Sequence, residues 1–182
     1  MKKNRVAFAL ALFSILACNL NAQSFKGNFS GMIGIPNVKV RIQYEHPISN
    51  LGSVGLNTNY HFFNWRGPMV EPFGRLYAKK HGNIKGGFGQ LKFCYGNFSY
   101  YEESGSSWYN QNNGRFSVFG MGLGGGYKFL VAPHVTIEPY GGLRIISGPP
   151  EESANLGAYE RLGWYFWTGF PLELHAKLGY QF

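Results

Sequence analysis

The segment Leu172-Glu173-Leu174-His175-Ala176-Lys177-Leu178-Gly179-Tyr180-Gln181-Phe182 ends the chain and alternates throughout. Leu172, Leu174, Ala176, Leu178, Tyr180 and Phe182 are apolar, while Glu173, His175, Lys177 and Gln181 are polar. A side-chain period of two places the first set on one face of a strand and the second on the other. The apolar set includes Phe182, so the strand is expected to have no tail that covers it. A bare Tyr-x-Phe face is awkward in water and suits lipid. This strand and the opposite end of the chain decide the class, and neither names a substrate.

The opposite end reads as an export signal. Lys2, Lys3 and Arg5 form a basic start, and Val6 to Ala17 form an apolar run too short to span a membrane as a helix. Cleavage is expected after Ala22, within Asn21-Ala22-Gln23, although Leu20 is larger than the position prefers. Cys18 offers a rival processing site, because Ile15-Leu16-Ala17-Cys18 loosely resembles a lipoprotein box. The expected organisation is a removed signal at residues 1–22 and one domain at 23–182.

Without residues 1–22, 160 of the 182 residues remain, with 14 of the 17 Lys and Arg against nine acids, a net +5. All nine acids are Glu, which excludes an Asp nucleophile or an Asp-rich calcium loop. One cysteine, Cys94, stays in the domain, so no disulfide framework is expected. The domain has no apolar run of about 18 residues. Yet aromatics make up 18% of the chain and glycines number 26, both above ordinary usage. That combination fits a β-barrel in a membrane. The basic residues are scattered rather than clustered, which argues against nucleic acid.

Eight segments alternate: Phe25–Ile35, Val38–His46, Ser53–Phe62, about Val70–Lys79, Gly86–Tyr100, Phe116–Phe129, Val135–Ile146 and the C-terminal strand. The second is the cleanest, with Val38, Val40, Ile42 and Tyr44 against Lys39, Arg41, Gln43 and Glu45. The fourth is ambiguous in phase, since Phe73 and Tyr77 compete with Leu76 and Ala78. The long connections, about 101–115 and 147–170, fall on the side opposite Phe182 only if Phe25–Ile35 counts as a strand. Parity therefore favours eight strands, with Ile35-Pro36-Asn37 as a tight outer turn.

The polar faces carry too many charges to be the core of a soluble sandwich. Turned inward in a closed barrel they can be, with the apolar faces outside. An open sheet in lipid would leave edge groups unpaired, so closure is required. Eight strands leave room only for side chains. The inward set includes Lys39, Arg41, Glu45, Lys92, Glu138, Arg144, Glu173 and Lys177, and both signs should pair in a central network. Gly120, Gly122, Gly124 and Gly126 leave inner-face space for large neighbours such as Tyr140 and Arg144. The expected fold is all-β, an antiparallel up-and-down transmembrane barrel of eight strands with no open channel.

With these residues in place, the chain resembles the small eight-stranded outer-membrane barrels of Gram-negative bacteria. That class includes the OmpA transmembrane domain and OmpX and OmpW relatives. The ending from Thr168 to Phe182 and the Asn21-Ala22-Gln23 region resemble barrels of the Bacteroidetes type. The likeness covers the whole mature chain in architecture, and its specificity lies in the C-terminal motif. It implies that Leu178, Tyr180 and Phe182 form the insertion signal read by the barrel-assembly machinery. It also implies a monomer in the bacterial outer membrane, with membrane lipid and lipopolysaccharide as partners. It brings no catalytic residues and no cofactor.

Gly120-Met121-Gly122-Leu123-Gly124-Gly125 satisfies G-x-G-x-x-G. It lies inside a strand with no helix after it, so inner-face space is the reading rather than a dinucleotide site. Glu102-Glu103 and Glu151-Glu152 read as solvated loop charge, with cation bridging to surface lipopolysaccharide as the alternative, and the five dispersed histidines lack metal-ligand spacing. Trp108 and Tyr109, in mid-loop, read equally as recognition residues or as part of an interfacial aromatic belt, and Trp164, Tyr165, Phe166 and Trp167 read as that belt. The leading function is structural or surface recognition, not transport. One alternative is a lipid-A-modifying deacylase or acyltransferase, for which Ser147, His61 and Ser107 are the conceivable groups. The other is a soluble periplasmic lipocalin-like barrel, which predicts apolar residues inside and polar ones outside.

Overall fold

A computed structural model of the chain describes residues 27–34, 39–62, 65–78, 85–100, 113–148, 164 and 171–182. The strands are β1 (Asn28–Gly34), β2 (Lys39–Pro47), β3 (Gly52–His61), β4 (Trp65–Tyr77), β5 (Gly86–Tyr100), β6 (Asn113–Leu130), β7 (Val135–Ile146) and β8 (Leu172–Gln181). Each pairs antiparallel with the next, and β8 returns to β1, giving a closed eight-stranded barrel. Closure removes the unpaired edges that an open sheet would present.

Both ends of the described chain, Gly27 and Phe182, lie at one rim, where Phe182 N–H donates to Gly27 C=O at 3.1 Å. We call this the terminal end. Its turns are short: Ile48 N–H donates to Gly52 C=O at 2.9 Å, and Val131 N–H to Val135 C=O at 2.9 Å. The longer connections, 101–112 and 147–171, belong to the opposite rim, the loop end. That is the parity the sequence requires.

Burial follows the two-residue period, but inverted from a water-soluble protein. In β2, Lys39, Arg41, Gln43 and Glu45 are buried, while Val40, Ile42 and Tyr44 are exposed. β6 exposes Phe119, Met121, Leu123, Tyr127 and Phe129, and β8 exposes Leu172, Leu174, Leu178 and Tyr180. The lumen holds the charge and the outer wall is apolar.

β4 departs from the sequence expectation in extent and resolves its phase. It begins at Trp65 rather than near Val70, and buries Trp65, Met69, Glu71, Phe73, Arg75 and Tyr77. Phe73 and Tyr77 therefore face inward and Leu76 faces out. Aromatics occupy an inner face here because Arg75 uses them: its guanidinium lies 4.7 Å from the Phe73 ring centroid and 4.1 Å from that of Phe88.

Besides Pro47 at the end of β2, three prolines sit in strand interiors among the described residues, where they supply no N–H to the ladder. Pairing of β4 with β5 lapses at residues 67–68 and 71–72, around Pro68 and Pro72. Pairing of β7 with β6 lapses at 138–139, around Pro139. The β6 glycines make room inside: a Cβ on Gly124 would collide with the Tyr140 hydroxyl, and one on Gly122 would sit 2.9 Å from Lys92 Cε. Lys92, not Arg144, is the large neighbour that fills the space over Gly122.

Candidate functional site

The lumen is layered. At the loop end, Trp65, Met69, Cys94, Phe98, Phe116, Val118, Ile146 and Trp164 form an apolar cap. Trp164 meets Trp65, Phe98 and Phe116 edge-on, with centroids 5.0, 5.2 and 5.6 Å away. Such edge-to-face rings match the positive rim of one aromatic to the negative face of the next. Trp164 is thus fully buried inside the rim. The belt reading fails for it, because the aromatic cap offers a larger apolar contact than an interface position would. Tyr165, Phe166 and Trp167 lie outside the described residues.

Below the cap lies a first charge cluster, the loop-half cluster, built from β2, β4, β5, β7 and β8. Glu71 accepts ion pairs from Arg144 at 2.8 Å, Arg41 at 3.1 Å and Lys92 at 3.2 Å. Glu173 takes Arg41 at 2.7 Å and Lys92 at 2.5 Å. Arg41 also donates to His175 Nε2 at 3.0 Å. Tyr140 separates this layer from the next, its ring stacked on His175 at 4.8 Å, with the Lys92 and Lys177 ammonium groups 5.9 and 5.6 Å from its centroid.

The second cluster, the terminal-half cluster, hangs on Arg75. Its guanidinium grips Glu138 with two donors at 2.8 and 2.7 Å and reaches Glu45 at 2.7 Å. Lys177 donates to Glu138 at 2.5 Å, and Lys128 bridges Glu45 and Glu138. Tyr77 and Ser53 hydroxyls donate to Glu45 at 2.7 and 2.5 Å. Planar, bidentate pairing of this kind keeps buried charges tolerable, because each desolvated oxygen is matched by a donor.

All eight charges singled out from the sequence lie inside, each less than a tenth exposed. The structure brings Arg41, Lys92, Arg144 and Glu173 into the loop half and Glu45, Glu138 and Lys177 into the terminal half. Lys39 has no carboxylate within ion-pair distance among the described residues. Sequence reasoning missed Glu71, Arg75 and Lys128, three hubs of these clusters. Lys128 was recoverable, since Tyr127 and Phe129 beside it are outward. Glu71 and Arg75 were hidden by the ambiguous phase of β4.

Leu178, Tyr180 and Phe182 face outward and are 62%, 53% and 54% exposed. His61 is buried, edge-on to Phe98 with centroids 5.3 Å apart. The Ser147 hydroxyl, exposed at the loop end, accepts from Phe119 N–H at 3.0 Å. These two lie in different settings, and no contact joins them. Ser107, Trp108, Tyr109, the loop glutamate pairs and the expected signal at residues 1–22 with Cys18 lie outside the described residues. Among the described residues, no three His, Cys, Asp or Glu side chains are placed to hold a metal ion. Cys94 is a buried free thiol.

Comparison with protein-family models, with curated proteins and with solved structures returns no match.

Proposed function

We propose that this chain is a bacterial outer-membrane β-barrel of the small eight-stranded kind. Its lumen is filled by paired side chains, and its role is structural or surface recognition rather than transport. One observation carries the reading: large apolar side chains stand exposed on the outer wall, while among the described residues seven Lys and Arg and four Glu are buried within it. A wall that exposes Ile33 at 79%, Leu174 at 72% and Leu123 at 66% suits acyl chains and is costly in water. A soluble barrel holding an apolar ligand would need the opposite arrangement. Closure of β8 onto β1 supports the same reading, because an open sheet in hydrocarbon would leave whole edges of backbone groups unpaired.

Within this reading, Leu178, Tyr180 and Phe182 present the outward C-terminal face that the barrel-assembly machinery would engage. Outer-membrane lipid and lipopolysaccharide surround a monomer, and recognition falls to the loop end. The Bacteroidetes-type likeness of the C-terminal motif belongs to the same proposal.

The test is gel mobility of protein recovered from outer-membrane fractions, with and without boiling in SDS. A shift on boiling is expected, because a closed barrel resists SDS until heated. Recovery from the soluble periplasm with no shift would overturn the proposal.

A further inference from the structure

The two charge clusters are not equally compensated. In the terminal half, Arg75, Lys128 and Lys177 face Glu45 and Glu138. In the loop half, Lys39, Arg41, Lys92 and Arg144 face only Glu71 and Glu173, an excess of two positive charges among the described residues. A desolvated excess of like charge is costly unless an anion shares the space.

The same half holds unused donors. Arg144 is fully buried, yet its Nε and Nη2 have no hydrogen-bond partner among the described residues. Asn59 Nδ2 and His61 Nε2, the latter a donor in one of its two neutral tautomers, are also buried and have none among the described residues. Lys39 is 4% exposed and makes no ion pair among the described residues. It stands directly opposite His61 in the β2–β3 register, and Arg41 stands opposite Asn59. Lys39 and His61 each lie within electrostatic reach of Arg144. Buried guanidinium donors without partners are rare, because each forfeits the hydrogen bonds it had in water.

The wall beside these donors is incomplete. β1 and β8 pair only from Asn28 opposite Gln181 to Gly31 opposite Leu178. β1 nevertheless continues to Gly34 on its β2 side, and β8 extends back to Leu172 on its β7 side. By continuation of the register, Met32, Ile33 and Gly34 stand opposite Lys177, Ala176 and His175 without pairing. Lys39 on β2 and Arg144 on β7 are each one strand away from this seam. The excess charge, the unused donors and the parted strands coincide.

We propose that the loop half of the lumen is a binding site for a phosphate-class oxyanion, reached from the side through the β1–β8 seam. A tetrahedral anion offers several acceptor oxygens to the Arg144 Nε and Nη2 pair, and Lys39 and Asn59 supply further donors. The anion is either a free ion or the headgroup of a phosphorylated lipid. The free-ion arm of the test stands on the lumen alone, and only the headgroup arm rests on the outer-membrane reading.

The experiment measures the thermal unfolding midpoint of the detergent-refolded barrel in inorganic phosphate and in chloride of equal ionic strength. Saturating phosphate should raise the midpoint by about 5 °C or more, the shift expected of a ligand well above its dissociation constant. Lys39→Met should raise the midpoint in chloride, because it removes an unpaired buried charge, and should blunt the response to phosphate. Equal midpoints in phosphate and chloride would overturn the site. A lowered midpoint for Lys39→Met in chloride would overturn it too, by revealing a protein carboxylate as partner.

The source is separated in phosphatidylcholine bicelles with or without phosphatidic acid, using Ile33→Cys with Ala176→Cys to staple the seam. If oxidation abolishes the phosphatidic acid effect and leaves that of inorganic phosphate, the ligand is a lipid headgroup taken through the seam. A response to inorganic phosphate alone identifies the free ion. A phosphatidic acid effect that survives the staple overturns access through the seam.

Discussion

The two halves of the lumen solve one problem differently. In the terminal half, three cations share two carboxylates, and Arg75 is clamped between the Phe73 and Phe88 rings while it grips Glu138. Every charged group there has a partner on a neighbouring or facing strand. In the loop half, Glu71 alone serves three cations, and among the described residues Lys39 has no ion-pair partner and Arg144 keeps two donors unused. One half is a closed strut tying opposite walls together. The other holds recognition capacity in reserve, and binding capacity of this kind comes at the cost of stability.

The comparison breaks most sharply at Glu71. Glu71→Gln should cost about 5 kcal/mol or prevent folding, the upper range for stripping one partner from buried charges. It would deepen an existing positive excess, so urea unfolding in detergent micelles should show a much lower midpoint. Arg75→Met should cost less, about 3 kcal/mol by the same measurement, since Lys128 and Lys177 still neutralise Glu45 and Glu138. Equal costs for the two variants would mean that charge excess does not distinguish the halves.

The outer wall gives the next effect. Leu123→Arg, midway along β6, should destabilise the protein by about 2–4 kcal/mol in a lipid bilayer, as expected of a charge near the bilayer centre. The same variant should change little in a mild zwitterionic detergent that lets the guanidinium reach water. A bilayer value no larger than the detergent value would argue against lipid contact at Leu123. The smallest effect concerns the layer between the clusters. Gly124→Ala should cost about 1–3 kcal/mol through its collision with the Tyr140 hydroxyl, a typical overpacking penalty. Because Tyr140 OH has no hydrogen-bond partner among the described residues, Tyr140→Phe in the same background should recover part of that loss. Unfolding midpoints of the single and double variants check both.

Strands with one charged and one apolar face were legible in the sequence. β2 and β8 alternate cleanly because their inner positions meet polar and charged groups and their outer positions stand exposed on the apolar wall. β4 was not legible, because its inner face must supply aromatic plates for Arg75 as well as the carboxylate of Glu71. Apolar residues then occur on both faces and the period of two loses its sign. Trp164 was misread for a related reason. A Trp beside other aromatics looks the same whether it lies at an interface or folds over the rim, and the deciding contacts with Trp65, Phe98 and Phe116 come from distant strands. The pairing within the clusters was also out of reach, since the partners are set by side-chain reach across the lumen and not by strand order.

The three prolines have a mechanical consequence. Pro68 and Pro72 loosen the β4–β5 boundary and Pro139 loosens the β6–β7 boundary, whereas β5 and β6 hydrogen-bond to each other without a lapse from Gly86 opposite Lys128 to Phe98 opposite Phe116. The longest hairpin of the molecule is therefore a stiff panel framed by two perforated lines. When the cylinder breathes, amide protons along those lines should trade with deuterium before those of the panel, and the panel should swing as one piece.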